Sequence, residues 1–152
     1  MKNLLRFAMS LVLVGALHLP VFSQATSDAA LESIGSISAV ALYNSYTTLG
    51  ILADAYEHEA YESDYVIRLL DEQISLHDNM KTSYNKLLSS GFVTSADDKK
   101  FVLEAIATFD ILKNEAEAFQ SYVDTGDTKY SNQFQEYRKL AWERIADLLG
   151  ID

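Results

Sequence analysis

The sequence predicts an all-α protein: an antiparallel up-down-up-down four-helix bundle that follows a cleaved N-terminal signal peptide. Three observations lead there. Apolar residues recur at alternating spacings of three and four along the chain, which lines one face of a helix. Breakers are sparse, since the one proline is Pro20 and the later glycines are Gly35, Gly50, Gly91, Gly126 and Gly150. That distribution suits long helices joined by short turns. Finally, the 152 residues include no cysteine, so a chain of this size must be held by one packed core and not by disulfides.

The N-terminal segment has its own logic. Lys2 and Arg6 form a basic start, Phe7 to Leu19 are mostly apolar, and Pro20 ends the run. Ser23-Gln24-Ala25 then offers small residues at the −3 and −1 positions of a cleavage site. The apolar run is shorter than the about 20 residues needed to cross a bilayer. Residues 1–25 are therefore expected to be a signal peptide, and residues 26–152 a single exported domain, periplasmic or secreted.

Four helical segments are expected in that domain. The first places Ile34, Ser38, Ala41, Ser45, Thr48, Leu52 and Tyr56 on its inner face. Its end carries no Gly or Pro, so the turn is expected within residues 57–64, with Ser63 or Asp64 capping the next helix. The alternative is a helix that runs straight on, which would leave an apolar face uncovered and force a swapped dimer; a monomer is favoured. The second segment aligns Val66, Leu70, Gln73, His77, Met80, Tyr84 and Leu87, and stops at Gly91. The third aligns Val102, Ala105, Phe109, Leu112, Ala116, Phe119 and Val123 between a Ser95–Asp98 capping box and Gly126. The fourth aligns Tyr130, Phe134, Tyr137, Ala141, Ile145 and Leu148, and stops at Gly150.

Charge limits the partners. The chain has 12 basic and 22 acidic residues, and losing Lys2 and Arg6 with the leader would take the net charge from −10 to −12. Such a field repels nucleic acid and anionic lipid, both of which need clustered Lys and Arg. The partner is expected to be a protein or a small ligand.

The unusual residues are polar ones on apolar seams. Gln73 and His77 point at the centre of the second helix's buried face. Folding the first two helices antiparallel about a turn near residue 61 brings Ser45 and Thr48 level with them, with Tyr137 one layer away. Ser45, Thr48, Gln73, His77 and Tyr137 thus form the candidate site. As a structural network they would satisfy one another and set register. As a binding site they would line a small cavity for a ligand or metal. The structural reading is preferred, because a layer with one imidazole and no acid is poor in metal ligands. Asp54 and His58, four residues apart, form a weaker metal candidate in an acidic turn.

Catalytic motifs are missing. The chain has no Gly-x-Ser-x-Gly elbow, phosphate loop, cysteine nucleophile, His-Glu-x-x-His or Cys-x-x-Cys-His sequence. No cofactor is expected, haem included. A hydrolase built on Ser45 and His77 ranks last. The expected function is that of a non-enzymatic binding or structural accessory protein, with the small-ligand or metal-binding bundle as the alternative.

Overall fold

A computed structural model describes residues 20–151, with side chains from Asp28 onward. Four helices and no strand occur among the described residues: α1 (Pro20–Glu57), α2 (Ser63–Ser89), α3 (Ala96–Thr125) and α4 (Thr128–Leu149). No helix among these residues is long and apolar enough to cross a membrane. The chain divides into two units at Ile34–Gly35, and every candidate residue falls in the second. Most of the proposed signal peptide, residues 1–19, lies outside the described residues. Pro20 opens α1, a place where its missing N–H costs nothing.

Local chemistry accounts for most of the boundaries. Ser95 caps α3 by accepting the Asp98 N–H at 3.0 Å, and its hydroxyl donates to the Asp98 carboxylate at 2.6 Å. Asp97 and Asp98 also lie in the first turn, where the helix dipole favours acids. Gly126 ends α3 at φ 69°, a left-handed conformation that glycine adopts without a Cβ penalty. Asp127 caps α4 through the Lys129 N–H at 2.9 Å.

The first turn falls where the acidic stretch placed it, but its cap differs. Glu62 is the N-cap of α2, in place of the expected Ser63 or Asp64, and its side chain makes no capping hydrogen bond. The Glu62 carbonyl already accepts from Tyr65 at 3.0 Å and Val66 at 3.1 Å, so the helix is under way one residue earlier.

The core follows the seams closely in α3, where all seven expected residues are buried. On α2, Val66, Leu70, His77 and Tyr84 are buried, while Gln73, Met80 and Leu87 are half-buried. The inner face of α1 is turned from its expected position. Ser38, Leu42, Ser45, Leu49 and Leu52 are buried, with Ala41 and Thr48 only half-buried. The turned stripe keeps three-four spacing and exchanges small or polar side chains for two leucines, which bury more apolar area.

Specific pairs join the helices. Between α2 and α3, Gln120 donates to Asp71 at 2.7 Å, Lys113 to Asp78 at 2.8 Å, and Lys81 pairs with Asp110. Between α3 and α4, the rings of Phe119 and Phe134 lie 5.0 Å apart, and Glu115 meets Arg138. In both sets the number rises along one helix as it falls along the other. From α1, Ser38 shares a hydrogen bond with Tyr84, Tyr46 packs on Trp142 at 5.5 Å, and Tyr56 meets Phe119 at 5.9 Å.

Candidate functional site

His77 is fully buried, as its place on the α2 seam requires. Its ring lies 5.9 Å from that of Phe109, which also stacks on Tyr84 at 5.9 Å. Neither ring nitrogen has a hydrogen-bond partner. Burial pushes the imidazole pKa down from 6.5 to about 4; Asp78 opposes this weakly and Lys113 adds to it. His77 is thus a neutral, enclosed ring across the physiological range.

The five candidate residues are not one network. Ser45 is buried and Thr48 and Gln73 are half-buried, but none of them hydrogen-bonds His77. The polar partnership α1 does make with α2 is a different one, between Ser38 and the Tyr84 hydroxyl. Tyr137 lies in a surface groove between α3 and α4, lined by Asn114, Glu117, Ser121, Tyr130 and Gln133 among others. No nucleophile is hydrogen-bonded to the imidazole and no carboxylate orients it.

The weaker metal candidate is the pair Asp54 and His58. His58 lies just beyond the last residue of α1, and its Nδ1 is 2.8 Å from the backbone carbonyl of Asp54, not from its carboxylate. Among the described residues no group of three or more His, Cys, Asp or Glu side chains is placed to hold a metal ion.

A second buried polar group was not anticipated from the sequence. Glu115 on α3 is fully enclosed; Arg138 Nη1 on α4 donates to its Oε1 at 3.0 Å, while its Oε2 has no partner. The same Nη1 reaches the Tyr46 carbonyl at 3.2 Å, and the guanidinium lies over the Tyr46 ring at 4.2 Å. Burial raises the Glu115 pKa from 4.5 to about 7, against the pull of Arg138. Gly50 makes room for the guanidinium, because a Cβ there would overlap Nη2 and lie 3.0 Å from Cζ. The signal was present in the spacing. Glu115 lies three residues after Leu112 and four before Phe119, and Arg138 lies four after Phe134 and three before Ala141.

Two further features face solvent. A cleft of about 700 Å³ opens where α1 gives way to α2, walled by α1, α3 and α4. Along α1, Ile37, Val40 and Ile51 are 65%, 60% and 59% exposed, and no charged residue occurs between Glu32 and Asp54. Comparison with known proteins returns no relative: no family model, curated protein or solved structure matches the chain.

Proposed function

We propose that this chain is an exported, non-enzymatic four-helix bundle that acts through its surface as a binding or structural accessory module. The observation that carries this reading is the closure of His77: among the described residues the one core imidazole has zero exposure and no hydrogen-bond partner. What remains for contact with other molecules is the outside, where α1 exposes apolar side chains along an uncharged run. The helix pairings favour an up-down-up-down arrangement, because residue numbers run in opposite senses across α2–α3 and α3–α4. Export rests on the basic, apolar and small-residue order of residues 1–25, and cleavage after Ala25 would leave Thr26 as the mature N-terminus.

The test has two readouts. A tagged full-length chain expressed in a bacterial host should appear outside the cytoplasm with the mass of a chain starting at Thr26. The exported protein should hydrolyse a panel of chromogenic esters no faster than His77→Leu or buffer. Retention of residues 1–25 would end the export proposal, and His77-dependent turnover would end the non-enzymatic one.

A second reading is favoured by one observation, the two unpartnered nitrogens of His77. A small ligand or metal ion entering the layer would satisfy them, since an unpaired buried polar group costs on the order of 1–3 kcal/mol. Adding Zn²⁺ or Ni²⁺ should then raise the melting temperature of the native chain and not that of His77→Leu.

A further inference from the structure

The cleft at the first turn combines two kinds of side chain that seldom share a wall without reason. Tyr56 of α1, Tyr61 of the connection and Tyr122 of α3 border it together with Phe119 and Phe134. Tyr56 meets Tyr122 at 6.2 Å and Phe119 at 5.9 Å edge to face. Phe119 and Phe134 are themselves buried and back the cleft, so the accessible aromatic wall is the half-buried Tyr56 and Tyr122 with the exposed Tyr61. Glu57, Glu59 and Glu62 line the same cleft, and no Lys or Arg is among its lining residues. None of the three glutamates is in an ion pair among the described residues.

The connection also gives up local stability in presenting those acids. Glu62 occupies an N-cap position, where Ser, Thr, Asp or Asn would bond the helix N–H groups, and makes no capping bond. Glu59 has φ 55°, a left-handed conformation that glycine or asparagine would adopt more cheaply. A volume of about 700 Å³ is that of a small-molecule site. An anion would meet three uncompensated carboxylates in a chain of net charge −10, and a neutral apolar molecule would leave those carboxylates unused. A cation with an apolar shell suits both kinds of wall, because ring faces attract it electrostatically while the acids supply the long-range field.

We propose that this aromatic, acid-lined cleft binds a small organic cation of the quaternary or alkyl ammonium class. The inference rests on the binding-module reading and gives it a ligand class. Choline is the probe, and 3,3-dimethylbutan-1-ol, of the same shape without the charge, is its control. Calorimetric titration of the protein with choline should show saturable binding. The alcohol should bind at least about tenfold more weakly, as should choline to the variant carrying Glu57→Gln, Glu59→Gln and Glu62→Gln. All three substitutions are at exposed positions, and circular dichroism checks that the variant stays folded. Tyr61→Leu should weaken choline about two- to fivefold. Equal affinity for the alcohol, unchanged affinity in the glutamine variant, or no choline binding would each overturn the proposal. Those failures leave the non-enzymatic reading standing, whereas ester turnover would remove that reading without bearing on the cleft.

Discussion

His77 and Glu115 are both fully enclosed, and each keeps polar atoms without a partner, but only one of them was visible in advance. An imidazole interrupting a run of Val, Leu and Tyr stands out against its seam. A glutamate one position before Ala116 reads as a solvated neighbour of the apolar stripe. Its burial follows from Arg138, which lies 23 residues away in the chain and reaches it only once α3 and α4 pack. The polar layer is therefore half legible: His77 interrupts its own seam, whereas the burial of Glu115 is decided by its tertiary contact with Arg138. Because the His77 nitrogens bond nothing, His77→Leu should stabilise the protein at pH 7.5 by about 1–3 kcal/mol, the usual cost of an unpaired buried polar group. Urea unfolding monitored by circular dichroism measures it, and a lower midpoint at unchanged slope would show that the ring has an unseen partner.

Among the elements, the apolar seam of α3 is buried at every expected position and that of α1 only in part, for one physical reason. Acids and lysines occupy many positions of α3 off the seam, despite Leu103, Ile106 and Ile111, so one direction of burial is strongly preferred. In α1 the outer face carries Ile37, Val40 and Ile51 as well, and periodicity alone does not choose between stripes one residue apart. Leu42 and Leu49 rather than Ala41 and Thr48 turn inward because that orientation buries the larger side chains. It also sets Gly50 against Arg138. Gly50 and Gly35 are both helical glycines, and replacement by alanine should separate them. At Gly35 a Cβ meets nothing within 4 Å, so Gly35→Ala should gain about 0.5–1 kcal/mol from helix propensity. At Gly50 the same methyl group would displace a guanidinium held by Glu115, the Tyr46 carbonyl and the Tyr46 ring. Moving it strips a buried carboxylate of its donor, so Gly50→Ala should lose about 1–3 kcal/mol despite the better propensity. Thermal melts of the two variants should shift in opposite directions; a gain at both positions would mean that Arg138 swings away freely.

At the scale of the whole molecule, the two buried groups make stability depend on pH in opposing ways. His77 binds its proton less tightly folded than unfolded, its pKa falling from 6.5 to about 4. Its contribution is fully present above pH 6.5 and is lost as pH falls toward 4. Glu115 binds its proton more tightly folded, its pKa rising from 4.5 to about 7. Its contribution is fully present below 4.5 and is lost as pH rises through 7. At about 1.4 kcal/mol per pH unit, each amounts to roughly 3 kcal/mol over its window. The windows overlap between pH 4.5 and 6.5, where the slopes cancel and these two groups leave the native protein nearly level. Removing either group exposes the other. Glu115→Gln should become more stable as pH rises from 4.5 to 6.5, and His77→Leu should become less stable from 4.5 to 7. The groups nearest His77 do not reverse the sign: Asp78 is already held as a carboxylate by Lys113, its pKa lowered, and Lys113 stays charged, its pKa raised. Urea midpoints at half-unit pH steps on the three proteins measure the effect. Parallel profiles would show that these two groups do not set the pH response, while opposite slopes in the two variants would show the core balancing one buried titration against the other.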